Sequence, residues 1–209
     1  TYDTGKERKS AQRKQAQDLS NWDKYAKLVT KPEKLDRRLE AAESFQFFCE
    51  TYGKEAFSLA WSPAHIECIE KIEDSTLRSR CFALALPRGS GKSTMCHWAL
   101  LWALLNGHVE YGIYVAADKG ASSTRLASIK TTLRFNQELA EDYPEIILPI
   151  QWVGGEARRA AGCRFHGETV EMRWGSDKLI FGTLPNYAEH APWYADMKPN
   201  FGGILDFAS

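Results

Sequence analysis

The segment Pro87-Arg88-Gly89-Ser90-Gly91-Lys92-Ser93-Thr94 gathers the residue types that hold a polyphosphate. Gly89 and Gly91 let the backbone turn tightly enough to aim successive N–H groups at one anion. A helix opening at Lys92 adds the partial positive charge of its N-terminus. The Lys92 ammonium suits a position between β- and γ-phosphates, and the Ser93 hydroxyl suits one coordination position of Mg²⁺. Thr94 suits a hydrogen bond to the α-phosphate. The usual pattern is G-x-x-x-x-G-K-[ST]. Here Gly91-Lys92-Ser93 keeps its end, while Leu86 stands where the first glycine belongs.

Binding is not hydrolysis. Hydrolysis needs an acid at the end of an apolar strand to help hold Mg²⁺, and a group that orients water. Asp118 closes the apolar run Tyr111 to Ala117, and Asp206 lies in the run Gly203 to Phe207. Either is a candidate, although an acid at a strand end serves equally as a helix N-cap. The arrangement most expected has the acidic strand beyond Ser209.

Such a loop must follow a strand and open a helix. Cys81-Phe-Ala-Leu-Ala-Leu86 is a continuous apolar run, as in a parallel strand buried on both faces. Lys92 to Asn106 reads as a helix apolar almost all round, stopped at Gly107. Tyr111 to Ala117 reads as a second buried strand and Ser122 to about Leu139 as a long helix, with Pro144 ending that region. Strand, helix, strand, helix in this order predicts a βαβ unit with a parallel sheet.

Upstream, residues 1–52 read as helix, divided by Pro32 and stopped by Gly53. Ser62 and Pro63 form a helix start, followed by Ile66, Ile69, Ile72 and Leu77 as a core stripe. Downstream, Glu168 to Trp174 and Lys178 to Phe181 flank Gly175-Ser-Asp177 and predict a β-hairpin, with one more strand at Gly203 to Phe207.

The 209 residues suffice for one good-sized core, and a 44% hydrophobic composition with seven Trp argues for a folded chain. The formal net charge of zero means that any nucleic-acid contact rests on local patches. Two present themselves: Lys6, Arg8, Lys9, Arg13 and Lys14 at the start, and Arg158, Arg159 and Arg164 after the core. Each reads equally as solvated surface charge. Five cysteines without framework spacing suggest free thiols in a reducing compartment. The longest apolar run, Met95 to Leu105, contains His97 and is too short to span a bilayer.

The residues around the loop resemble the ATPase part of tailed-phage large terminases, the motors that package DNA. The resemblance runs through Phe47-Phe-Cys-Glu-Thr-Tyr52, Trp61-Ser-Pro-Ala-His65, Phe82 to Thr94, Ser128-Ile-Lys-Thr-Thr-Leu133 and Asp142-Tyr-Pro-Glu145. Terminases often carry a loop that lacks its first glycine and includes an arginine, as Leu86 and Arg88 do here. By resemblance, Arg88 contacts phosphates and helps couple hydrolysis to movement, so Lys92 and Arg88 are the expected catalytic residues. The family's adenine-contacting glutamine has His65 in the comparable place, where an imidazole meets a base or is simply a satisfied histidine at a helix start. The acidic strand and the nuclease carboxylates of full-length terminases are not recognisable, so nuclease activity is no part of the expectation.

The expected fold is therefore an α/β P-loop NTPase with a mostly parallel sheet flanked by helices. It has a helical N-terminal lead over 1–60, an ATPase core over 61–209 and a β-hairpin near its C-terminal end. The expected cofactors are ATP and Mg²⁺, bound by Pro87 to Thr94 and His65, with Ser93 on the metal. By resemblance the partners are double-stranded DNA, the portal and the small terminase subunit, in a homo-oligomeric ring within the host cytoplasm and away from membranes. A helicase-like translocase, a small-molecule kinase and a non-catalytic nucleotide-binding module are the alternatives.

Overall fold

The computed structural model describes residues 9–10, 27–154, 163–194, 197 and 201–208. Of the basic residues noted above, Lys6, Arg8, Arg13, Lys14, Arg158 and Arg159 lie outside them. Two helices, α1 (Leu35–Glu43) and α2 (Phe45–Tyr52), lead into α3 (Pro63–Arg78) and α4 (Lys92–Leu105). The strand β1 (Tyr111–Val115) is followed by α5 (Lys119–Phe135), α6 (Gln137–Asp142) and α7 (Pro144–Val153). Short strands β2 (Arg164–Phe165), β3 (Glu168–Thr169), β4 (Arg173–Trp174) and β5 (Lys178–Ile180) precede α8 (Tyr187–His190), a 3₁₀ turn (Pro192–Tyr194) and β6 (Ile204–Ala208).

Helix boundaries follow local chemistry. Ser44 caps α2 by accepting from the Phe47 amide, and Ser62 caps α3 by accepting from the His65 amide, with Pro63 at the first helical position. Asn136 interrupts the long helix expected through Leu139. Its side chain accepts from the Leu139 amide and starts α6 afresh. Pro144 does not end the region but opens α7, where its missing N–H costs nothing, and Pro149 sits inside that helix. On α3, Ile69 and Ile72 are buried, while Leu77, expected in the same stripe, is 52% exposed.

The sheet corrects the expected fold. The chain is 53% helical, and its strands form a mixed four-stranded sheet of order β1-β6-β5-β4 plus the separate β2–β3 ribbon. Only β1 and β6 run parallel; β6–β5 and β5–β4 are antiparallel. No extended parallel sheet is present among the described residues, so the expected α/β P-loop fold is not the one found. The run Cys81 to Leu86 forms no strand. Leu84 and Leu86 touch the core, but Phe82 is 41% exposed. An apolar run needs ladder partners as well as cover, and the sequence of the run names neither. The strand β1 is covered on one side only. Gly112 lets α4 approach, since a Cβ there would meet Leu100 Cδ1 at 2.7 Å, whereas Ile113 and Val115 point away and stay exposed.

The expected hairpin across Gly175 forms over fewer residues. Arg173 pairs with Ile180 and Trp174 with Leu179, while Glu168–Thr169 pairs backwards with Arg164–Phe165. The cause is the turn His166-Gly167, both residues at positive φ, which closes its own two-residue hairpin.

A buried ionic clasp ties α1 to α6 and α7. Arg38 grips Glu145 through two hydrogen bonds of 2.7 and 3.1 Å, with its guanidinium 4.5 Å from the Tyr143 ring centroid. Arg37 bonds Asp142 and Glu141, and the Tyr52 hydroxyl donates to Asp142 at 2.6 Å. Asp142 raises the affinity of Arg37 for its proton, and Arg37 in turn holds Glu141 below the usual carboxylate range.

Candidate functional site

The loop Pro87 to Thr94 turns as its glycines predict. Gly89 has φ +85° and Gly91 φ +78°, backbone that L side chains rarely adopt. A Cβ at either would meet nothing within 4 Å, so conformation and not crowding requires glycine there. Gly91 is also the N-cap of α4 and has no side chain to cap it, which leaves the first-turn amides for an external acceptor.

The carbonyl of Pro87 organises the turn. It accepts from the Ser90 hydroxyl at 2.8 Å, from the Ser90 amide at 3.3 Å and from the Lys92 ammonium at 2.7 Å. Lys92 also donates to the carbonyl of Leu86. The ammonium therefore lies folded back onto the loop, held by the carbonyls of Leu86 and Pro87. Arg88 is exposed and makes no hydrogen bond or ion pair among the described residues. Ser93 is exposed at the first turn of α4 and Thr94 is half-buried beside it.

His65 is brought to the same place by α3. Its Nδ1 lies 3.4 Å from the Ser62 amide and its Nε2 lies 3.0 Å from the carbonyl of Ser90. A ring nitrogen facing an amide donor must accept, so Nε2 carries the proton and donates to Ser90. Trp61 stands edge-on to the imidazole, with Phe57 between Trp61 and Trp98 of α4. The site residues read from the sequence are thus assembled at one end of α4, with His65 bound to the loop backbone.

The candidate acids are engaged elsewhere. Asp118 caps α5 through the Ala121 amide at 2.8 Å. Asp206 pairs with Lys178 at 3.0 Å, which holds its carboxyl below the usual range, and accepts from the Tyr111 hydroxyl. No group of three or more His, Cys, Asp or Glu that could hold a metal ion occurs among the described residues. Magnesium at the loop would therefore rest on Ser93 and the phosphate oxygens. The Ser93 hydroxyl at the loop's end has the chemistry for that. Arg164, the one described member of its basic cluster, is exposed on β2.

A cleft of about 550 Å³, which no local sequence pattern announces, lies between α4, α5 and the turn after α2, with Thr94 in its wall. Its walls include His97, Arg125 and Ser128. His97, a polar residue inside an apolar helix, and Ser128, which opens the segment Ser128 to Leu133 named in the resemblance, were the signals available; Arg125 gave none. Among the described residues no helix is long and apolar enough to cross a membrane.

No known family profile, curated protein sequence or solved structure matches the chain.

Proposed function

We propose that this chain binds ATP with Mg²⁺ at Pro87 to Thr94 and serves as the ATPase part of a terminase-like motor that moves double-stranded DNA. The observation that carries the reading is the loop itself. Two left-handed glycines, an uncapped helix start and an ammonium folded back onto the turn form an anion nest built by backbone and one lysine. Lys92 moves from the carbonyls of Leu86 and Pro87 onto the β- and γ-phosphates when nucleotide enters. Ser93 takes one Mg²⁺ position, and Arg88, which has no described partner, meets the outer phosphates. The DNA, portal, small-subunit and ring partners belong to the reading through the resemblance of the loop's neighbourhood to large terminases.

A second reading is supported by the two acids. Asp118 and Asp206 both have structural employment, so neither of the two acids read as candidates stands free to help activate water. A nucleotide-binding module without turnover is the result.

Calorimetric titration with Mg·ATP, followed by phosphate-release assays on the same protein and on Lys92→Ala, tests both. Binding lost in Lys92→Ala supports the loop; release of phosphate by the unaltered chain favours the motor ATPase, and binding without release favours the module. Undiminished binding by Lys92→Ala would sink both.

A further inference from the structure

The cleft beside the loop has the size of a small-molecule site, which typically spans roughly 300–1,000 Å³, at about 550 Å³. Its walls are chemically mixed. Tyr52 and Lys54 come from the end of α2 and the turn after it, Thr94 and His97 from α4, Arg125 and Ser128 from α5. Lys54 is already paired with Glu138 at 3.2 Å, which closes one rim. Two polar side chains in the walls have groups without a protein partner among the described residues. His97 is only 4% exposed, and its Nε2 has no hydrogen-bond partner. Arg125 is half-buried and makes no hydrogen bond or ion pair among the described residues. The His97 nitrogen is shut off from solvent and so from the cleft, whereas the half-buried Arg125 guanidinium is open to a ligand in it.

We infer that this cleft receives the nucleoside part, base and ribose, of the nucleotide whose phosphates lie in the loop. The inference rests on the phosphate-loop reading above and adds to it the position and chemistry of the remainder of the ligand. Thr94 is the link. As the last residue of the loop it is suited to the α-phosphate, the one esterified to the ribose, and it also lines the cleft. A ligand leaving the loop past Thr94 enters the space between α4 and α5. There a flat heterocycle has Trp98 and Phe135 as apolar wall, and the Thr131 and Thr132 hydroxyls and the Arg125 guanidinium for the donors and acceptors on its edge. The Ser128 hydroxyl and the Arg125 guanidinium suit ribose oxygens and the edge of the base, not the phosphates. His65 is then a brace of the loop and not the contact for the base, in keeping with the engagement of both its ring nitrogens.

The test compares Mg·ATP with magnesium tripolyphosphate, which has the phosphates but no nucleoside, by calorimetric titration of the 209-residue chain. Ser128 is exposed, so Ser128→Tyr fills the cleft without straining the core; Arg125→Gln is the second variant and decides the matter if the first fails to fold. Both are expected to weaken Mg·ATP, Ser128→Tyr by at least about tenfold, and to leave tripolyphosphate within about twofold of the unaltered chain. Unchanged Mg·ATP affinity in both variants would overturn the inference while leaving the loop reading intact. Failure of the unaltered chain to bind tripolyphosphate, or binding that survives Lys92→Ala, would overturn the loop reading and the inference with it.

Discussion

The Nε2 of His65 stands 3.0 Å from the carbonyl oxygen of Ser90, so the first turn of α3 is hydrogen-bonded to the middle of the phosphate loop. The bond acts on shape. A glycine-rich turn has many conformations, and a fixed donor on a neighbouring helix selects among them.

Replacing His65 with alanine removes that donor. A single hydrogen bond contributes about 1 kcal/mol net, which corresponds to a roughly fivefold loss of Mg·ATP affinity. Titration calorimetry reads it directly. Because His65 is at the surface end of α3, the melting temperature should move little; unchanged affinity would mean the loop holds its form unaided.

Gly91→Ala tests the backbone itself. The added methyl meets no atom within 4 Å, so its only penalty is the left-handed conformation at φ +78°. That penalty is roughly 1–2 kcal/mol. Chemical denaturation should show it as lost stability, or, where the loop relaxes instead, titration should show weakened tripolyphosphate binding.

Arg38→Ala leaves Glu145, which has no exposed surface, as a buried charge without its cation. Breaking such a pair costs roughly 3–5 kcal/mol. Arg37→Ala should cost less, because Arg37 is partly exposed and the Tyr52 hydroxyl continues to serve Asp142. Urea denaturation of the two variants gives the order, and equal losses would contradict it.

His97 sets a pH dependence. Burial, helped by the charge of Arg125, lowers its pKa to about 4. Between that value and the ordinary 6.5 the unfolded chain binds more protons than the folded one. The contribution is therefore fully present above pH 6.5 and declines as the pH falls toward 4, by at most about 3 kcal/mol. Thermal melts at pH 7.5 and pH 5 should differ more for the unaltered chain than for His97→Leu, which has no proton to take up. A variant with the same pH slope would contradict the assignment.

The loop was readable because its requirements are local. Positive φ at Gly89 and Gly91, a helix opening at Lys92 and a serine cap before His65 are each written within a few residues of where they act. The sheet was not readable for the opposite reason. Apolar runs at 81–86 and 111–117 look alike, and what separates a strand from an unpaired segment is the partner, which for β1 is β6. Two short breaks also went unseen. Asn136 restarts a helix with its own side chain, and His166-Gly167 turns the chain one hairpin earlier than expected. The clasp between Arg37, Arg38 and the acids of α6 and α7 lies beyond any local pattern, since the partners meet only after the chain has folded back.

The pairing of Tyr111 with Ile204 and of Val115 with Ala208 also fixes an order of events during synthesis. A ribosome delivers β1 long before its parallel neighbour, and the intervening helices can form from near contacts while the strand waits. Until residue 208 has emerged, Ile113 and the rest of that strand have no ladder at all. The nascent chain is then exposed to misassociation from the emergence of β1 until that of β6, and chaperone demand should peak over that interval.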